Sequence, residues 1–221
     1  MIRFDNHAFK GLDDSLKHLL GLLDEMGAGV SALVAMLPEA LESASSETHA
    51  AAKAIDKTIN DAEMAVDSTV AAMINKFTLM GEDLRFVLAS IKIAGTLERM
   101  ADKIKNCTKR LARTTHPLDA AVKTQLAEAV AAVGAMVPLT LAQIVDYKDE
   151  NSAALLKHGA AVQKAYRTIL LHLNAHRGTA DDETHLLLVA KNLDQAGDMA
   201  VEIMKICHVV HRGTKYEKTA N

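Results

Sequence analysis

Aromatic residues are scarce: four Phe, three Tyr and no Trp make up 3% of the chain. Runs of β-branched and aromatic residues between turn signals are correspondingly hard to find, which argues against a sheet. Only three prolines interrupt the 221 residues, so long helices are permitted. Cys107 and Cys207 stand far apart, and neither has a Cys or His at zinc-site spacing. They read as reduced thiols at core positions, not as nucleophiles or a disulfide. The N-terminus lacks the apolar core of a signal peptide, and no stretch is expected to reach the roughly 18–20 apolar residues of a membrane span. The expectation is a cytoplasmic protein without membrane insertion. A net charge of only −3, with bases scattered among acids, leaves no footprint for nucleic acid.

What remains is 49% hydrophobic and 24% charged, rich in the good helix formers Ala, Leu, Met and Lys. Periodicity near 3.6 residues predicts six helical segments. The first runs from about Asp5 to the Ser43–Ser46 break, with Pro38 marking a kink or stop. The second, about Glu47 to Phe77, carries Ile55, Ile59, Ala62, Val66, Val70 and Met73 on one face, and Ser45 or Ser46 is placed to cap it. The third runs from near Glu82 to Thr114. The fourth spans about Leu118 to Tyr147, with Pro117 in its first turn and a bend expected at Pro138. The fifth runs from Asp149 to His176, closed by Arg177-Gly178-Thr179, and the sixth from Asp181 or Asp182 to Arg212-Gly213. Leu97-Glu98-Arg99-Met100-Ala101-Asp102 parallels Leu193-Asp194-Gln195-Ala196-Gly197-Asp198, each after an apolar run. The expectation is therefore an all-α protein of two tandem antiparallel three-helix bundles, residues 1–115 and 116–213, with a frayed tail over 214–221.

Acids fall into a pattern on these helices. Val87, Ile91 and Ala94 define an apolar stripe with Glu98 almost at its centre, and Asp102 one turn on at its edge. Leu187 and Ala190 lead to Asp194 and Asp198 in the same way. The second helix aligns Asp56, Asn60, Glu63 and Asp67 at i, i+4, i+7 and i+11, beside its apolar face. Like charges one turn apart destabilise a helix, and burying an unpaired carboxylate costs far more. A cation is the simplest compensation, and all-oxygen ligation suits magnesium, manganese or iron better than a thiolate zinc site, though zinc is not excluded. Arg99 and Lys103 are the candidate neutralisers under the competing reading, in which the acids are solvated.

Asp83-Leu84-Arg85, then Glu98-Arg99-Met100-Ala101-Asp102, then Asn106, resembles the PhoU family, whose first repeat reads D-L-R, E-R-I-G-D and an Asn four residues on. The Asp56, Asn60, Glu63, Asp67 line stands at that family's spacing, and the likeness covers nearly the whole chain. The resemblance implies two side-by-side three-helix bundles, a homodimer, and metal held by acid-x-x-x-acid motifs. On this chain that is a first site of Glu98, Asp102, Asp56, Asn60, Glu63 and Asp67, and a second of Asp194 and Asp198. It further implies a cytoplasmic negative regulator of phosphate uptake, working with the phosphate ABC transporter and a phosphate-sensing histidine kinase.

The chain departs from the family pattern at named places. Ala101 replaces a Gly, the second motif lacks the Arg, and Glu202 stands for its Asn. Gly159, Gln163, Tyr166 and Leu170 occupy the positions equivalent to the first acidic line, with His158 one place off. Metal chemistry is therefore expected in the first half. A di-metal carboxylate enzyme would need Glu-x-x-His on two helices, and no glutamate here has a His three residues later. The reading is accordingly not an enzyme; the remaining alternative is a structural interaction bundle without metal. The pairs His172/His176 and His208/His211 read as ordinary helix-end histidines.

Overall fold

The computed structural model describes residues 10–43, 45–175 and 180–217. Among them there are seven helices and no strand: α1 (Lys10–Ala35), α2 (Leu37–Ser43), α3 (Ser46–Lys76), α4 (Gly81–Leu111), α5 (Ala120–Val145), α6 (Asp149–Ala175) and α7 (Ala180–Arg212). The pair α1 and α2 is the expected first helix, broken at Met36. Pro38 falls in the first turn of α2, where its missing N–H leaves no hydrogen bond unmade. The start expected near Asp5, Ala44 of the first break and the Arg177-Gly178-Thr179 stop lie outside the described residues.

Local chemistry sets the helix ends. Ser45 caps α3, its Oγ accepting from the Thr48 N–H at 3.1 Å. Asp119 caps α5, with Oδ1 accepting from the N–H groups of Ala121 and Val122 at 2.9 and 3.1 Å. Pro117 consequently lies before the helix and not in its first turn, because the Asp119 cap fixes the start at Ala120. Helix α5 continues through Pro138, which is exposed. Gly213 ends α7 in the left-handed region, φ 71°, with its N–H on the Val209 carbonyl at 2.9 Å.

Helices α1, α3 and α4 pack mutually, as do α5, α6 and α7, and the longest shared face of all lies between α4 and α7. Those two run antiparallel, since Arg85 meets Val210 at one end while Cys107 meets Val189 at the other. A single apolar core therefore runs through both halves. On α1, two glycines permit close approach on different sides. A Cβ at Gly27 would collide with Leu141 of α5, and one at Gly29 would sit 2.7 Å from Ile59 of α3.

One expectation is corrected. Gly11–Ser43 and Ala120–Val145 are both long and apolar enough to cross a membrane by length and composition. Isolated charges at Lys17, Asp24, Glu25, Lys123 and Glu128 break up what is otherwise a high Ala, Val and Leu content. About half of each apolar window (44% and 50%) is buried against neighbouring helices, as in core helices of a bundle.

Candidate functional site

The acidic line of α3 meets α4 along an antiparallel seam. Near one end, Glu63 Oε1 lies 3.3 Å from where a Cβ on Gly95 would stand, so that glycine gives the carboxylate room. Two turns along, Asp56 is buried beneath α4. Lys105 Nζ donates to Asp56 Oδ2 at 2.7 Å and pairs with Asp102 Oδ1 at 2.9 Å. Asn106 Nδ2 donates to Asp102 Oδ2 at 3.0 Å. The lysine and Asp56 side chains keep only 16% and 12% of their surface exposed, so this is a largely desolvated ion pair. Asp56 Oδ1 is buried with no hydrogen-bond partner.

Electrostatics follow from this geometry. Partial burial raises the Glu98 carboxyl above its ordinary range, and the charges of Glu63, Asp102 and Asp56 push it further, against the pull of Lys105. Burial alone would lower Lys105. Its hydrogen bonds to Asp56 and Asp102, with their charges, outweigh that and raise it, so the ammonium is retained.

Of the expected residues, Asp56 and Asp102 are joined through Lys105, while Glu63 and Glu98 lie along the same seam, close enough for the acids' charges to act on Glu98. Asn60 and Asp67 do not join them, being exposed on α3. Glu98 sits half-buried at the rim of the core face and not at its centre, because Ile91, read as part of the apolar stripe, is 41% exposed. The core face runs instead through Phe86, Val87, Ile93, Ala94, Leu97, Met100 and Ala101. The neutralising residue is Lys105, in place of Arg99 or Lys103. Periodicity could have found it, since Glu98, Asp102 and Lys105 stand at i, i+4 and i+7 on one helix face. Arg99 turns away: its Nε donates to the Gly95 carbonyl at 3.2 Å, its Nη2 to Thr96 Oγ1 at 3.0 Å, and it pairs with Glu202 of α7 at 3.6 Å.

In the second half, Asp194 is buried and Lys191 Nζ lies 2.8 Å from its Oδ2. The same ammonium sits 5.0 Å from the centre of the Tyr166 ring. Asp198 is more exposed, and its carboxyl is raised by partial desolvation and by the Asp194 charge. Opposite them α6 offers no carboxylate line; Gly197 faces Val162, and Gly159 faces Val201 and Met136.

The fit of a metal ion can be judged on these contacts. The donors are oxygens of the right kind for a hard cation. However, among the described residues no three His, Cys, Asp or Glu side chains form a group able to hold a metal. The space between Asp56 and Asp102 is filled by the Lys105 ammonium, and Asp194 is held by Lys191. As folded, neither cluster fits a metal ion.

Other candidate groups have structural partners. His172 pairs with Asp119 at 3.2 Å, and His176 lies outside the described residues. His208 stacks edge-on with Tyr147 and Tyr216. His211 lies 3.3 Å from the Ile144 carbonyl and 3.1 Å from Glu82. Cys107 and Cys207 are buried, and burial pushes both thiols up to about 12, far from the thiolate form a nucleophile needs.

Comparison with known proteins agrees with the sequence pattern. Residues 23–111 match the PhoU domain family. The phosphate-specific transport system accessory protein PhoU homolog of Zymomonas mobilis is 27% identical over 215 residues, covering 94% of this chain and 89% of that protein. The homolog of the same name from Rhizobium meliloti is 26% identical over 219 residues, covering 95% and 90%. In fold, the chain is similar to the crystal structure of PhoU from Pseudomonas aeruginosa (TM-score 0.82, 20% identity, 91% and 99% coverage). It is equally similar to the phosphate transport system regulatory protein PhoU from Streptococcus pneumoniae (TM-score 0.81, 19% identity, 98% and 100% coverage).

Proposed function

We propose that this chain is a PhoU-family protein, since residues 23–111 match the PhoU domain and its relatives align over about nine-tenths of its length, and that it is a cytoplasmic negative regulator of phosphate uptake, an adaptor between a phosphate ABC transporter and a sensor histidine kinase. Its relatives carry the name of a phosphate-specific transport accessory protein over about nine-tenths of their length. The reading includes a homodimer and does not depend on a bound metal.

The observation that carries it is an apolar seam left open where α4 meets α7. Leu84, Leu88 and Ile91 fall at i, i+4 and i+7 on α4 and are 37%, 47% and 41% exposed; Val209 of α7 continues the strip. Arg85 and Lys92 line the same shallow depression with Leu88, Ile206 and Val209. Contiguous apolar surface edged by charge is typical of a protein-binding face. The basic edge selects an occupant with an apolar strip flanked by acids, and we assign it to the transporter's ATPase subunit.

Purified ATPase subunit is the probe. The wild-type chain should retain it, and a Leu88→Asp/Ile91→Asp variant with unchanged helicity should not. Equal retention by both would refute the seam as the docking face. Unchanged phosphate-starvation reporter output in high phosphate, after deletion of this protein, would refute the regulatory role itself.

A further inference from the structure

We propose that Lys105 is the resident cation of the first acidic cluster, seated where a divalent ion would otherwise be needed, so that this chain is independent of metal there. Three observations carry it. The ammonium lies 2.7 Å from Asp56 Oδ2 and 2.9 Å from Asp102 Oδ1, the two groups a bridging cation would join. Lys105 and Asp56 are both largely buried, so neither relies on water for its charge balance. The lysine reaches from α4 to α3, which makes it an interhelical tie and not a surface ornament.

The same solution recurs independently in the second half. Lys191 occupies the i−3 position relative to Asp194, contacts its Oδ2 at 2.8 Å and is held over the Tyr166 ring. In both halves the most buried acid of the cluster is paired, through one carboxylate oxygen, with an ammonium from the chain itself. A lysine is a compact point charge on a flexible stem, which suits a seat bounded by carboxylates from two helices.

Removal of the lysine then has two consequences. Asp56 is left buried without a counter-charge, with Glu98, Glu63 and Asp102 close by. The emptied seat then lies between the carboxylate oxygens of Asp56 and Asp102, and a hard divalent cation is the counter-charge such oxygens take. Lys105→Ala therefore turns a closed, metal-indifferent cluster into a cation-responsive one.

The experiment is thermal unfolding of the full chain in EDTA and in Mn²⁺, paired with Mn²⁺ calorimetry. Wild type should show the same Tm in both conditions and no stoichiometric Mn²⁺ binding. Lys105→Ala should melt roughly 5–10 °C lower in EDTA, the scale expected when one partner of a largely buried pair is removed from a chain of this size. Mn²⁺ should return part of that loss. Asp56→Asn/Lys105→Ala, which removes the buried charge as well, should lose less than the two single variants together and should not respond to Mn²⁺. It also serves as the readable variant if Lys105→Ala alone fails to fold in EDTA. A rise in wild-type Tm on Mn²⁺ that vanishes in Asp56→Asn would overturn the proposal. So would additive losses in the double variant, or the absence of any Mn²⁺ response in Lys105→Ala.

Discussion

Arg85 Nε donates to the Val210 carbonyl at 2.8 Å, joining the first turn of α4 to the last turn of α7. That carbonyl is one of the four that a helix end leaves without an internal partner. The guanidinium also lies beside Gly213, 3.7 Å from where a Cβ would be, so the arginine of the Asp83-Leu84-Arg85 motif ties the two halves of the chain together. Arg85→Ala should lower stability by about 1.5–3 kcal/mol, the range for a hydrogen bond from a charged donor. Arg85→Lys should recover little, because an ammonium does not reproduce the planar fork. Urea unfolding of the three proteins decides it; full recovery by lysine would mean that charge alone matters.

A second tie crosses the halves at Asp182. Its carboxylate accepts from the Thr115 N–H at 2.9 Å and lies 2.7 Å from His116 Nδ1, fixing the connection between α4 and α5 onto the first turn of α7. Asp182 is buried while Thr115 is exposed, so loss of Asp182 removes the charged acceptor and hands the Thr115 N–H to water. Asp182→Ala should destabilise by about 1–3 kcal/mol and should speed amide hydrogen exchange at Thr115 specifically. Unchanged exchange at Thr115 would show that another group satisfies that N–H.

How far these features were legible in the sequence depends on whether one helix was enough to see them. The helices, the Ser45 cap and the Gly213 stop follow from signals within a few residues. The acidic line and the Glu98–Asp102 pair were equally local. What required two helices was missed: Lys105 reaching across to Asp56, and Lys191 lodged against Tyr166. Ile91 shows the same limit from the apolar side. A stripe read on α4 alone placed it in the core, whereas packing against α1, α3 and α7 leaves it on the surface. The membrane-like hydropathy of α1 and α5 is hard to see as an uninterrupted apolar run, because these helices are apolar on average with isolated charges.

Glu98 gives the cluster a pH dependence of defined sign. Its folded pKa is raised, first by burial and then by Glu63, Asp102 and Asp56. A raised carboxyl contributes stability that is fully present below the unfolded value, here 4.5, and is lost as pH rises through the folded one. At neutral pH the ionised Glu98 is therefore a burden on the fold. Glu98→Gln should be more stable than wild type at pH 7, by on the order of 0.5 kcal/mol, the scale of a like-charge contact on a helix surface. The advantage should shrink as pH falls towards 4.5, where wild-type Glu98 becomes protonated. In a Lys105→Ala background the gain should be larger, since the one nearby charge that favours ionisation is gone. Denaturant unfolding of the four proteins from about pH 4.5 upwards to neutrality, the direction in which the raised carboxyl ionises, tests both statements. A gain independent of pH would assign the effect to packing, and a gain unaltered by Lys105→Ala would show that Glu98 does not sense the ammonium.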